Sequence, residues 1–384
     1  MRILVTASCS EGLVLPLVPI AWALRSAGHE VLVAAPENMA KVVVEAGLPY
    51  VRSAAAVEMP EVLSVDRDGE PVPMPREEAA LLRHIGRGYA RLALRLIDGL
   101  RDIAKRWRPD LIVSETYGFA GPLLAAELGI PWIEQGMRLV SPPSISQSGA
   151  DELAPELKEL GLSDLPSPLL SLDLCPPGIR GADGGPAQKM RFVPYNGRAS
   201  GLPDWVHERR DKPRLCLTFG TRVPLNRSPI KGGFSLLEQL MHRLPELGVE
   251  VVVAVSDEVS GNFTKLPGGV RVAGQLPLNQ ILPGCDLIVH HGGVGTTLTA
   301  LALGVPQVTV PVIAEVWESA RLLVASGAGR QVPFIGATAD GIFDACAAIL
   351  GEPSYRRNAG RLREEIAALP SPADVVRRIE ELLS

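Results

Sequence analysis

Short runs rich in Ile, Val and Leu recur along this 384-residue chain, each followed by a loop and then by a stretch with helical periodicity. This alternation constrains the fold most, because strands separated by helices pair in parallel and build a doubly wound α/β sheet. In the first half, residues 2–7 (RILVTA) read as a strand and 15–25 as a helix closed by Gly28. Residues 29–35 (HEVLVAA) read as a second strand and 38–46 as a helix stopped by Gly47. Residues 109–114 lead into a helix over 120–128, and the GIPWI that follows marks a helix stop and a new strand. A second set begins after Lys212-Pro213, with strands expected at 214–220, 249–256, 270–274, 286–293 and 306–312. Between about 140 and 212 the pattern dissolves into Pro, Ser and Gly, which reads as surface elements plus an interdomain linker.

Two such sets in a chain too long for one core predict two Rossmann-like α/β domains whose parallel sheets face each other across a cleft. Ligands of such sheets bind beyond the carboxyl ends of the strands, so chemistry is expected in the loops after Ala7, Ser114, Phe219, Val255, Val289 and Pro311. A net charge of -5 gives no broad positive field, which argues against nucleic acid or an anionic membrane as partner. The five cysteines are scattered, with no CxxC pair and no His at metal-ligand spacing, and read as reduced buried thiols. Met1 runs directly into an apolar strand without a signal-peptide pattern, and charged residues interrupt every long apolar stretch. A cytoplasmic, soluble chain is expected.

The most specific local feature spans residues 286–301 (DLIVHHGGVGTTLTAL), where a buried strand runs into a glycine-rich loop and then a helix starting near Gly295. Free amides at a helix start, together with the positive end of its dipole, bind phosphate, and Gly292, Gly293 and Gly295 let the backbone approach closely. His291 and the Thr296 hydroxyl add donors, making an anion cradle for a diphosphate without a metal. The plain alternative is a tight strand-to-helix turn with Thr296 as an ordinary cap and both histidines packed.

This segment resembles the donor-binding signature of bacterial natural-product glycosyltransferases, with HHGGVGTT at 290–297 and GVPQ at 304–307. The likeness extends over almost the whole chain, through RILV at the start, PLVP at 16–19, AWALRSAGHEV at 21–31, RPDLIV at 108–113, LGIP at 128–131, TFGT at 218–221 and SPADVV at 371–376. The middle stretch, PELKELGL at 155–162 with DLCPP at 173–177, is most similar to the C-glycosyltransferases of aromatic polyketide antibiotics, of the urdamycin type. The resemblance implies the GT-B architecture: an acceptor-binding domain over 1–205, a nucleotide-sugar domain over 206–365, and a final helix over 366–384 that packs back on the first domain. It implies an inverting transfer from a dTDP-deoxysugar co-substrate to an aromatic small-molecule acceptor, no metal or other cofactor, and allows a homodimer.

Position by position, the resemblance assigns the donor diphosphate to His291, Gly292, Gly293, Val294, Gly295 and Thr296, with Gly220, Thr221 and Arg222 on the opposite wall. Three departures stand out. Gln275, between Gly274 and Leu276, occupies the place where many relatives stack an aromatic ring on the base, leaving the Leu276 backbone to meet it. Glu315-Val316 replaces the Asp-Gln pair that commonly holds sugar hydroxyls, a loss that suits a deoxysugar or reflects drift at a sugar-facing loop. Leu13, in the Ser10–Val14 loop, stands where oxygen-linking relatives carry a base histidine.

A leucine cannot take a proton, so the candidate bases are the carboxylates Glu11, Glu115 and Glu134, each of which is otherwise a plain solvated acid. Carbon transfer needs only a deprotonated phenol, which fits the loss of the histidine. Ser10 and Leu13, with Tyr89, Trp132 and Met137, are candidates to line the acceptor pocket, core packing being the alternative for the last three. Arg83, Arg87, Arg91 and Arg95 have the spacing of a solvated helix face. His29 reads as a structural contact, and His84, His207 and His242 have no acidic or Cys partners nearby in sequence. The rival readings are an O-glycosyltransferase with a replacement base, a non-catalytic partner that activates another transferase, and a nucleotide-sugar epimerase.

Overall fold

A computed structural model describes residues 1–136, 139, 141–179, 187–197, 201–220, 233–263, 265–312 and 316–384. The chain divides into two compact units. Unit 1 comprises Met1–Leu174, Ala182–Arg191 and Leu369–Ser384; unit 2 comprises Cys175–Gly181 and Phe192–Ala368.

The strands of unit 1 are β1 (Arg2–Thr6), β2 (Glu30–Ala35), β3 (Tyr50–Arg52), β4 (Leu111–Glu115), β5 (Trp132–Gly136), β6 (Leu170–Asp173) and β7 (Gln188–Lys189). They pair in parallel in the order β3-β2-β1-β4-β5-β6-β7. Ile3, Leu4 and Val5 of β1 and Leu111, Ile112 and Val113 of β4 are wholly buried, as central strands covered on both faces must be. Unit 2 repeats the design with β8 (Arg214–Thr218), β9 (Glu250–Ala254), β10 (Val270–Gly274), β11 (Leu287–His290), β12 (Gln307–Thr309) and β13 (Gly329–Gln331), ordered β10-β9-β8-β11-β12-β13. Each unit is thus a Rossmann-like α/β domain. In each, the chain reverses its direction of travel beside the first strand, between β1 and β4 or between β8 and β11, and that gap is where such sheets bind ligands.

The stretch over 140–212 corrects the expectation of a linker. It supplies helices Pro143–Glu152 and Ala154–Glu159 and strands β6 and β7 to unit 1, while Cys175–Gly181 and the residues from Phe192 onward belong to unit 2. Pro143–Glu152 packs closely on the long helix Glu78–Trp107, where a Cβ on Gly86 would lie 2.2 Å from the Ile145 carbonyl oxygen, and on Phe119, whose ring would lie 2.3 Å from a Cβ on Gly149. This packing also corrects the picture of Arg83 to Arg95 as one solvated face. Arg91 is buried, its guanidinium 3.4 Å from the Glu152 carboxylate, and His84 is buried with Nε2 2.9 Å from the Leu63 carbonyl.

The helix Pro372–Leu383 lies on Val18–Ser26 in unit 1, burying Val375, Val376 and Ile379. A capping box between Ser371 and Asp374 starts it, and His29 stands 3.1 Å from Glu380 near its end. All five cysteines are buried. No helix among the described residues is long and apolar enough to cross a membrane.

Candidate active site

In unit 2, β11 ends in the turn that the sequence marks. All four residues of the strand are buried, because β8 and β12 flank it and helices cover both faces. Gly292 then takes φ +83°, a left-handed conformation that glycine adopts without a Cβ penalty, and Gly293 caps the helix Val294–Leu303 with no side-chain bond. The first-turn amides of Val294, Gly295 and Thr296 therefore have no intrahelical acceptor, and the positive end of the helix dipole lies with them.

The two histidines divide their work. His290 is wholly buried, with Nε2 2.8 Å from Oε1 of Gln307, while its Nδ1 accepts the Gly292 amide at 3.2 Å. The Gln307 amide nitrogen donates in turn to the Thr297 carbonyl at 3.3 Å. His291 instead sits half-buried between two glycines. A Cβ on Gly220, which follows β8 with φ +71°, would lie 2.6 Å from its Cε1, and one on Gly293 would lie 2.5 Å from its Nε2. Only residues without side chains leave room for that ring. Its Nδ1 is buried and has no hydrogen-bond partner among the described residues. Burial pushes the His291 pKa down to about 4 and, with a lesser effect from His291, that of His290 down to about 3. Both rings are neutral at neutral pH, and each carries one N–H.

Gly220 and His291 thus meet where β8 and β11 part, beside the start of the Val294–Leu303 helix. Gly295 has open space where a Cβ would be, and Thr296 is half-buried. Gln275 is exposed just beyond β10, whereas the Leu276 side chain packs into the core beside Cys216 and Ile288. Val316 is buried, with Cγ2 3.3 Å from the place of a Cβ on Gly292. Thr221, Arg222, Glu315 and Met137 lie outside the described residues.

At the corresponding gap in unit 1, Glu115 ends β4. Its Oε1 accepts the Ser8 hydroxyl at 2.6 Å and its Oε2 the Tyr117 amide at 2.8 Å, so a wholly buried carboxylate is tied by two donors. Beside it a cavity of about 10 Å³ is lined by Thr6, Ser8, Tyr89, Tyr117 and Phe119, with the Tyr89 and Tyr117 ring centroids 5.1 Å apart. Glu134, near the end of β5, is half-buried; burial raises its pKa, offset by hydrogen bonds from Ser171, at 2.9 Å, and from Thr116. Glu11 is exposed in the first turn of Glu11–Val14, Ser10 caps that helix, and Leu13 is buried beneath it. Trp132 is not brought to this end: it opens β5, buried with its indole N–H on the Pro166 carbonyl, about 13 Å of strand from Gly136. Sequence reasoning assigned no role to Ser8 or Tyr117, and named Gln307 only within the GVPQ motif. Ser8 had a usable signal in its place directly after β1, and Gln307 in being a polar residue that opens an apolar strand. Among the described residues, no group of three or more His, Cys, Asp or Glu side chains is placed to hold a metal ion.

Comparisons with known proteins fit this geometry. The models for erythromycin biosynthesis protein CIII-like domains match residues 22–220 (N-terminal domain) and 238–382 (C-terminal domain). The solved glycosyltransferase SsfS6 of Streptomyces sp. SF2575, complexed with thymidine diphosphate, is 58% identical with a TM-score of 0.91 over 99% of each chain. The L-demethylnoviosyl transferase of Streptomyces niveus is 38% identical over 98% of this chain and 96% of its own. The aclacinomycin-T 2-deoxy-L-fucose transferase of Streptomyces galilaeus is 31% identical over 100% and 96%. With both halves matched and relatives aligned end to end, the chain belongs to the EryCIII-like glycosyltransferases, which transfer deoxysugars in antibiotic biosynthesis.

Proposed function

We propose that this enzyme moves a deoxyhexose from a thymidine-diphosphate donor to an aromatic polyketide, with inversion, and joins the sugar to a ring carbon. The observation that carries the donor reading is the His291 ring held between Gly220 and Gly293 beside three uncapped helix amides. Those amides and the neutral imidazole stabilise charge as it develops on the leaving diphosphate. The thymidine diphosphate bound by SsfS6 supports that choice of nucleotide. Thr221 and Arg222 extend the diphosphate wall, Gln275 and the Leu276 main chain meet the base, and Glu315 with Val316 borders a sugar that offers few hydroxyls.

On the acceptor side Ser10 and Leu13 border the aromatic guest, while the Tyr89 and Tyr117 rings are buried and pack behind the site, their cavity being too small to admit it. Glu134 is the base we favour. Glu115 already accepts two short hydrogen bonds and Glu11 is exposed, while Glu134 combines partial burial with a raised pKa that suits proton abstraction from a phenol. Loss of that proton places electron density on a ring carbon, which attacks the anomeric carbon as the diphosphate leaves; that carbon then gives up its own hydrogen as a proton, restoring the aromatic ring and the phenol. A buried leucine where oxygen-linking relatives hold histidine supports carbon attack. The test is turnover with a panel of dTDP-deoxysugars and aromatic polyketides, followed by acid treatment of the product. A sugar that stays attached supports the carbon bond, whereas its release shows oxygen linkage.

A further inference from the structure

Gln307 is a wholly buried amide opening an otherwise apolar strand, and such a group is costly unless both of its ends are bonded. Its oxygen faces His290 Nε2 at 2.8 Å and its nitrogen faces the Thr297 carbonyl at 3.3 Å, while His290 Nδ1 faces the Gly292 amide at 3.2 Å. One assignment of protons satisfies all three contacts. The Gly292 N–H needs an acceptor, so Nδ1 carries no proton; Nε2 then donates to the Gln307 oxygen, and the Gln307 NH₂ donates to Thr297. The opposite tautomer would set two donors against each other at Gly292, and two acceptors against each other at Thr297. A single side chain therefore ties the end of β11 to the first turn of the Val294–Leu303 helix. The residue caught between them is Gly292, at φ +83°.

We propose that Gln307 is a positioning residue for donor binding: it locks His290 in the tautomer that holds the Gly292 amide, and so fixes the turn that presents His291 and the helix amides to a nucleoside diphosphate. This rests on the diphosphate reading of the turn. Burial keeps His290 neutral, and the groups that act on it are Gln307 and the neutral His291, so the lock persists across the working pH range.

The test is Gln307→Met, close in length but unable to make either bond, measured beside His291→Ala by titration calorimetry with thymidine diphosphate well below the melting temperature. Gln307→Met is expected to raise the thymidine diphosphate Kd and the donor KM at least tenfold while leaving the acceptor KM unchanged, a split that general destabilisation does not produce. The double variant is expected to lose less than the product of the single losses, since both act through one turn. If His291→Ala weakens binding tenfold while Gln307→Met stays within twofold of the unaltered enzyme, the inference is overturned and the diphosphate turn stands. If His291→Ala has no effect, the turn reading falls and the inference with it. Should Gln307→Met fail to fold, nitrogen shifts of ¹⁵N-histidine in the unaltered enzyme decide: a protonated Nε2 on His290 upholds the lock, and a protonated Nδ1 overturns it.

Discussion

Replacing Gly293 by alanine isolates the contribution of His291 from that of the fold. Gly293 has φ -56° and ψ 137°, which any L-residue adopts without strain. Its new Cβ would stand 2.5 Å from Nε2 of His291 and 2.9 Å from Cε1, so the imidazole must rotate out of its slot. Losing one hydrogen bond to a charged diphosphate costs about 1.5–3 kcal/mol, which corresponds to about a 10- to 150-fold rise in Kd. Stability should move little. Alanine is a poorer helix cap than glycine, but it lowers the entropy of the unfolded chain, and the two effects offset to within about 1 kcal/mol. Titration calorimetry with thymidine diphosphate at fixed salt, with thermal melting alongside, measures both quantities. Gly220→Ala gives the contrast: φ +71° adds about 1–2 kcal/mol of backbone strain, so that variant should lose stability as well as affinity. A Gly293→Ala enzyme that binds thymidine diphosphate within twofold of the parent would refute the reasoning.

Glu134→Gln should lower kcat about 10²- to 10⁴-fold. A base works ionised, so activity in the parent should fall as pH drops through the raised Glu134 pKa, placing the acid limb above the ordinary carboxylate range; the variant should lack that limb, and an unchanged profile would clear Glu134 of the role. Glu152→Gln leaves the buried Arg91 guanidinium without its ion-pair partner and should cost on the order of 3 kcal/mol in urea unfolding; a change below about 1 kcal/mol would show the pair to be solvated. Turnover should be unaffected by excess chelator, and activity lost to chelator and restored by a divalent ion would contradict a diphosphate held by amides and imidazole alone.

The central strands of both sheets were legible because each is a continuous apolar run bounded by turn residues, as with residues 2–7 and 249–256. The strand-to-helix turn at 290–295 was legible because an apolar strand runs into glycines at 292, 293 and 295 and then into a helical stretch. What hid the structure of 140–212 was its means of packing. Pro143–Glu152 approaches Glu78–Trp107 at Gly86 and Ser148 and Phe119 at Gly149, and small residues that permit such close contact read in sequence as loop. The same contact hid Arg91, since a periodic row of arginines says nothing about a helix that will cover part of it. At the site, the expectation gave His291 a role and His290 none. Only the strand register, with Ile288 opposite Gln307, shows that one faces its own sheet and the other the glycines.

Unit 1 is discontinuous: residues 192–368 intervene before the Pro372–Leu383 helix returns to cover Val18–Ser26. The first sheet to be synthesised is thus completed by the last helix, after nearly all of the second unit has left the ribosome. A hybrid enzyme that exchanges the first unit between relatives accordingly needs more than one junction, since the chain passes between the units before Cys175, Ala182, Phe192 and Leu369. A single cut would strand Val375, Val376 and Ile379 against a foreign helix.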